Sequence, residues 1–208
     1  ARIVPSFPTQ GNRFLLVVRA LFTLFRLFIS HSKNVIRFLK LELQDGTQGL
    51  MILHQLLINS SLLASRLDWL HFGFCTMALG KENVSEAIGA RMAVSFRGFD
   101  YYVYPVKHPK CYDKLYNKKV RYHVLSQSMK RGLVEQGISE ATIHVIPPAI
   151  DTDFFTREEP QTPKPYLQLL TVGRLHWIKG LDYILEALSL LHQKGVAFHY
   201  TIVGTGPE

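Results

Sequence analysis

The sequence predicts an α/β fold of doubly wound parallel sheets in two domains, the second of them incomplete. Three observations predict it. Short apolar runs alternate with stretches of helical period from residue 68 to residue 204. Residues 151–165, with three prolines and four acidic groups, interrupt that alternation as an interdomain linker would. The composition, 47% hydrophobic and 19% charged over 208 residues, is that of a chain able to bury a sizeable core.

The elements follow in order. Residues 13–29, RFLLVVRALFTLFRLFI, form a helix that is only partly amphipathic, with Arg19 and Arg26 on one side and Arg13 apart from them. Three readings are open for it: a helix packed on its own domain, an interfacial membrane helix, or a span, which two internal arginines disfavour. Residues 34–65 continue as helix with a break near Asp45-Gly46-Thr47. From Asp68 the pattern changes. DWLHFGF (68–74) reads as strand, residues 76–91 as helix, MAVSF (92–96) as a buried strand and RGFD (97–100) as the loop leaving it. YHVLS (122–126) and IHVIP (143–147) are strands around a helix at 127–137, with Ser126 as N-cap and Gly137 as C-cap. In the last unit, strands 166–173 and 198–204 flank a helix at 179–195 whose apolar stripe is Leu181, Ile184, Leu185, Leu188 and Leu191. The chain opens on Ala1 and closes on a turn at Gly204–Glu208, so we expect both ends to be cuts through a longer protein.

The net charge of +8 is unevenly distributed: residues 1–50 carry +5 and residues 101–131 carry +7. A basic first two thirds suits an anionic partner, and charge alone admits phosphorylated lipid, a membrane surface or nucleic acid, or a merely solvated basic surface. Cys75 and Cys111 make no disulfide framework and no zinc pattern, and fit a reducing compartment. Lys110 could lower the pKa of Cys111, but without a partner histidine a structural cysteine is the better reading. Asn59 and Asn83 sit in formal glycosylation sequons, a weak signal.

One loop carries the strongest chemical signal. Gly173-Arg174-Leu175-His176-Trp177-Ile178-Lys179-Gly180 leaves the C-terminal end of a strand and enters a helix N-terminus. Open α/β sheets bind ligands there, and free backbone N–H groups favour an anion. Arg174 and Lys179 add two cations, which suits a diphosphate, while Gly173 and Gly180 allow close backbone approach. The alternative is a surface loop with two solvated cations. The loop matches neither GxxxxGK[ST] nor GxGxxG.

On these residues the chain resembles a known family. VGRLHWIKGLDYILEAL (172–188), then YTIVGTGPE (200–208), and before them HVIPPAIDTDFF (144–155), are similar to glycosyltransferase family four, retaining enzymes of the GT-B fold. The three stretches come in the family's order and cover roughly residues 122–208. The resemblance implies two facing domains: residues 1–150 on the acceptor side with its start missing, a linker at 151–165, and residues 166–208 opening the nucleotide-sugar domain. It implies that Arg174 and Lys179 neutralise the diphosphate of an NDP-sugar as charge develops on the leaving group. Gly173, Gly180, Gly204 and Gly206 would complete the donor site. Leu70-His71-Phe72-Gly73 and Ser95-Phe96-Arg97-Gly98-Phe99-Asp100 resemble two further strand ends of the family, where a cleft-facing histidine is replaced here by Arg97. Arg97 cannot be a general base but can hold a hydroxyl or a phosphate. His71 is either a cleft residue or a hydrogen-bonded core histidine, and Asp100 either a sugar or acceptor contact or a turn former. The family's glycine-rich loop near the N-terminus is not seen, and its acidic Glu-x7-Glu motif would lie past Glu208.

The expected reaction is hexosyl transfer from an NDP-sugar to a hydroxyl of a lipid-linked or polysaccharide acceptor, without metal or other cofactor. The expected partners are the donor, a glycan or lipid-linked acceptor and an anionic membrane surface, and not nucleic acid. The expected location is cytoplasmic, peripheral on the inner face of the membrane. Two other readings differ in what they predict. A related nucleotide-sugar epimerase would turn over donor without acceptor, and a non-catalytic membrane-binding fragment would bind vesicles and no nucleotide.

Overall fold

A computed structural model describes residues 12–156 and 164–208. Contacts divide the chain into two units, Ala1–Ala149 and Ile150–Glu208. The middle of the expected linker, residues 157–163, lies outside the described residues. Just before it, the Asp151 carboxylate accepts the N–H groups of Asp153 and Phe154, both at 3.0 Å, which makes a turn.

The first unit opens on α1 (Arg13–Gln44), started by Asn12, whose side chain accepts the N–H of Phe14 at 3.0 Å. The helix is broken at His31, which has non-helical dihedrals (φ −138°, ψ 32°). After the break, Val35, Phe38 and Glu42 fall on one buried face. Before it, Leu27 alone is buried, while Phe14, Leu21, Phe22, Phe25 and Ile29 are all more than 60% exposed. The expectation of a first helix packed on its own domain therefore fails for residues 14–29: an apolar arc this wide needs a partner on more than one side, and only one side meets the domain. By length and composition α1 could cross a membrane.

α2 (Gly49–Ile58) and α3 (Ser60–Leu63) follow the break at residues 45–48. Then come β1 (Trp69–Phe72), α4 (Val84–Ile88) and β2 (Arg91–Ser95). The single helix expected at 76–91 is instead a 3-10 turn, Cys75–Ala78, and the short α4. Gly80, at φ +72°, separates the two, and Asn83 is drawn inward to Glu42 and Asp45. α5 (Tyr104–Lys107) and α6 (Asp113–Tyr116) lead to β3 (Val120–Val124). α7 (Gln127–Glu135) and β4 (Ile143–Val145) close the unit. Ser126 caps α7 by accepting the N–H of Met129 at 3.3 Å, and Gly137 turns the chain out of it at φ +90°.

β1, β2, β3 and β4 pair in parallel in that order. Leu70, Phe72, Met92, Val94, Tyr122 and Val124 lie on one face and join a core with α1, α2, α3 and α7. The other face carries Trp69, His71, Arg91, Arg121 and His144, all exposed. Among the described residues the sheet is thus covered on one side, where a doubly wound sheet would be covered on both. The strands show why. WLHF and VRYHV alternate in polarity as half-exposed strands do, whereas fully buried parallel strands are apolar throughout.

A buried polar knot ties the end of α1 to the rest. Glu42, 1% exposed, accepts from Lys114 at 2.9 Å, Thr47 at 2.7 Å and Asn83 at 2.9 Å. These bonds offset the cost of burying its charge. Asn83 and Asn59 are both fully buried, so neither sequon is an accessible acceptor in this fold.

The second unit is β5 (Leu167–Val172), α8 (Leu181–Gln193) and β6 (Phe198–Val203), the two strands parallel. Gly195 ends α8 at φ +75°, and Leu188 is its buried residue.

Candidate functional site

The expected site residues form two groups, one in each unit. In the first unit they gather at the C-terminal edge of the sheet. His71 lies in β1, and Arg97 two residues past the end of β2. The Arg97 Nε donates to the carbonyl of Gly73 at 3.1 Å, which ties together the loops that leave the two strands. Its guanidinium also lies 5.2 Å from the ring centre of Phe74. The Nη groups have no protein partner among the described residues, so an exposed planar donor set stays available for an oxygen-rich ligand.

Asp100 takes the turn-forming role of its two alternatives. It is fully buried, and its carboxylate accepts the N–H of Cys75 and the N–H of Arg97, both at 2.7 Å. Its own carbonyl accepts the Tyr112 hydroxyl at 2.9 Å. A side chain aimed at two backbone N–H groups and shut off from solvent presents no oxygen to a sugar. Its contribution is to hold the Arg97 loop against the segment after β1.

His71 is exposed but not free, and two partners went unseen in the sequence. Its Nε2 lies 2.9 Å from Ser95 Oγ, and Ser95 Oγ lies 2.9 Å from His123 Nδ1. His123 Nε2 in turn lies 2.9 Å from the carbonyl of Ile146. Pairing of β2 with β3 sets Ser95 opposite His123. The available signal was period two: His71, Ser95 and His123 each project from the solvent side of adjacent strands near their ends.

Behind this edge Tyr112, Tyr116 and Tyr122 pack in the core around Phe96. Burial pushes Tyr112, Tyr116 and Tyr122 well above the ordinary phenol range. Burial also raises both thiols: Cys75, fully buried and beside Asp100, strongly so, and Cys111 more modestly. The possibility that Lys110 activates Cys111 is therefore not realised.

In the second unit the loops after β5 and β6 run side by side. Gly173 donates to the Val203 carbonyl at 3.0 Å, and Leu175 to the Thr205 carbonyl at 3.1 Å. Gly204 sits against the Gly173 carbonyl and Gly206 against the Leu175 carbonyl, so closely that a Cβ at either position would overlap backbone. Lys179 folds back with its Cε over Gly173, 3.9 Å from where a Cβ would stand. Gly180, at φ +61°, turns the chain into α8 and provides no side-chain cap. The first N–H groups of α8 therefore stay open on the side that Lys179 borders. His176 accepts the N–H of Ile178 at 3.4 Å and shapes the turn between the two cations. Arg174 and Lys179 are both exposed, with no carboxylate paired to either among the described residues. Lys179, Gly173 and Gly204 are thus brought together, with Gly206 beside Leu175 on the same pair of loops. Among the described residues no group of three histidine, cysteine or acidic side chains is arranged to hold a metal.

Comparison with known proteins adds names to this geometry. No protein-family model matches the chain. Over 150 residues, 71% of the chain, it is 26% identical to the amylovoran biosynthesis glycosyltransferase AmsK of Erwinia amylovora. Over 139 residues, 66% of the chain, it is 28% identical to the putative colanic acid biosynthesis glycosyltransferase WcaL of Escherichia coli strain K12. WcaL of Salmonella typhimurium strain LT2 matches at the same identity and length. All three relatives bear the name glycosyltransferase. The matched stretches span 37% of AmsK and 34% of either WcaL, so the chain covers about a third of the length of the curated relatives it matches.

Proposed function

We propose that the protein is a glycosyltransferase of polysaccharide biosynthesis that moves a hexosyl group from an NDP-sugar to a hydroxyl of a glycan or lipid-linked acceptor, with retention. The observation that carries this reading is the pair of loops after β5 and β6. Glycines pack their backbones together, Lys179 lies over Gly173, the α8 N-terminus is uncapped, and Arg174 adds a second unpaired cation. Together they offer a pyrophosphate two positive charges and free N–H donors. The charge that appears on the departing nucleotide is met by fixed cations, so the reading needs no metal and no other cofactor. Similarity to AmsK and WcaL supports the same class of reaction. At the sheet edge of the first unit, His71 and Arg97 supply a ring nitrogen and a planar donor set for the sugar or the acceptor. The GT-B arrangement of the two units belongs to this proposal.

The test is acceptor dependence. Incubation with UDP- and GDP-hexoses should release nucleotide only when a lipid-linked saccharide is added. The 208-residue chain alone need not be active, so the assay uses the full-length protein: donor turnover without acceptor would favour an epimerase, and no turnover with any donor would sink the transferase reading.

A separate observation favours a membrane surface as partner. At about 100° per residue, Phe14, Val17, Val18, Leu21, Phe25 and Phe28 fall on one side of α1, all of them exposed. Arg19 and Arg26 fall together about 130–150° from the middle of that arc, and after the break Lys33, Arg37 and Lys40 are exposed. An apolar face with cations set away from it on the same helix suits a helix lying in the interface of an anionic bilayer rather than crossing it. A peripheral location on the cytoplasmic face of the membrane belongs to this proposal. Vesicle sedimentation tests it: binding to anionic vesicles, weaker to zwitterionic ones and weakened by salt, is expected.

A further inference from the structure

The chain of contacts from His71 to Ile146 has a direction that its end dictates. A backbone carbonyl only accepts, so His123 must carry its proton at Nε2 to donate to Ile146 at 2.9 Å. Neutral His123 then offers a lone pair at Nδ1, and Ser95 must donate its hydroxyl proton there, at 2.9 Å. The Ser95 oxygen is left as an acceptor, so His71 must carry its proton at Nε2 to donate to it, at 2.9 Å. His71 Nδ1 remains a bare acceptor with no protein partner among the described residues, on a side chain that is exposed. Ser95 itself is 1% exposed and is held in register opposite His123 by the pairing of β2 with β3.

We infer that Ser95 and His123 are positioning residues that make His71 the proton-accepting member of this pair. The asymmetry follows from counting protons. Uptake at His71 forms one new Nδ1–H bond and disturbs nothing, because Nε2–H still donates to Ser95. Uptake at His123 Nδ1 turns that atom into a donor. Ser95 must then accept from it and send its own proton toward His71 Nε2. His71 must lose the proton it held there and carry one at Nδ1 instead. Protonating His123 therefore requires two hydrogen bonds to reverse or one to break. A second proton on the pair is disfavoured as well. The charged or titratable groups along this open face are Arg91 from β2, Arg121 and Tyr122 from β3, His144 from β4, Tyr116 from α6, and Lys119 and Lys118 before β3, the last paired to Asp45 at 2.7 Å; Arg97 lies beyond the end of β2, its Nε on the Gly73 carbonyl. No carboxylate lines it.

The chemistry this provides is uptake of a proton from a hydroxyl-bearing ligand at His71 Nδ1, on the exposed edge, while His123 stays neutral and fixed. That use rests on the transferase reading; the order of protonation does not.

The test follows the ring nitrogens of His71 and His123 by ¹⁵N NMR as pH is lowered through the histidine range, with His71→Gln and His123→Gln to identify the signals. The expected result is His123 in the Nε2–H form at neutral pH, and His71 becoming imidazolium first while His123 keeps that form. In Ser95→Ala the order is lost and the two rings titrate independently. His123 protonating before or together with His71 in the wild type, or carrying its proton at Nδ1, would overturn the inference. So would a protonation order that Ser95→Ala leaves unmoved. Neither donor nor acceptor is present in the experiment, so its failure would leave the transferase reading standing, and failure of nucleotide binding would leave this one.

Discussion

Replacing Asp100 by asparagine tests how the sheet edge of the first unit is built. The carboxylate is fully buried and accepts two backbone N–H groups, from Cys75 and Arg97, each at 2.7 Å. Charge-assisted bonds of this kind contribute about 1.5–3 kcal/mol each. Asparagine keeps the shape and one acceptor oxygen, so one bond survives in weaker form. The other oxygen becomes an NH₂ group facing a backbone N–H, which loses that bond and leaves a buried donor unpaired at a further cost of about 1–3 kcal/mol. Removing the buried charge relieves part of its desolvation, which moves the expected loss to roughly 3 kcal/mol. That is a large share of the roughly 5–15 kcal/mol that holds a domain folded. Urea unfolding followed by Trp69 fluorescence, in a background where Trp177 is phenylalanine, reads the first unit alone. Arg97→Ala serves as the control, and its exposed side chain should cost no more than about 1 kcal/mol. If Asp100→Asn unfolds within about 0.5 kcal/mol of the parent, the bracket described here does not hold the edge together.

Three further outcomes are expected. Gly204→Ala places a Cβ against the Gly173 carbonyl; circular dichroism melting should show the second unit destabilised by at least about 2 kcal/mol, whereas Gly46→Ala, with nothing within 4 Å but φ +76°, should cost about 1 kcal/mol from strain alone. Phe25→Asp replaces a 66% exposed aromatic on α1 and should weaken sedimentation with anionic vesicles about tenfold or more, from the loss of about 1.5–3 kcal/mol of burial, with no change in melting temperature. The pH dependence of stability carries a sign set by Asp45. Burial acts to raise its pKa, but hydrogen bonds from Lys118 and Asn83 outweigh that and leave it lowered. A carboxylate lowered in the folded state adds stability above its unfolded pKa and loses it as pH falls through the folded one. Asp45→Asn should therefore flatten the acid limb of a urea-midpoint profile below about pH 4 and leave the neutral region's slope unchanged.

Much of the fold was legible because strands and helices alternate with distinct periods. The strands at Leu167–Val172 and Phe198–Val203 and the helix between them match their apolar runs almost residue for residue. Ser126 and Gly137 were readable as caps because their side chains, or lack of one, solve a local backbone problem. Residues 76–91 were not readable, since their structure depends on Asn83 reaching Glu42 and Asp45 some forty residues away, at 2.9 and 2.7 Å. The open sheet face was present as alternation in WLHF and VRYHV, but an expectation of buried parallel strands masked it. The packing of residues 14–29 depends on what lies beside the helix, and a partly amphipathic sequence does not specify that. The loop from Gly173 to Gly180 stood out because cations and glycines at a strand end have a local chemical meaning. Ser95 and His123 did not, because a serine and a histidine 28 residues apart acquire one only when register sets them side by side.

The pyrophosphate grip is the claim on which the functional account turns. Titration calorimetry with UDP and with GDP on the full-length protein addresses it directly, comparing the parent with Arg174→Ala and with Lys179→Ala. The account predicts that one nucleotide binds and that each substitution removes about 1.5–3 kcal/mol, a roughly 10- to 150-fold weaker Kd. Binding of equal strength in the parent and in both variants would contradict it.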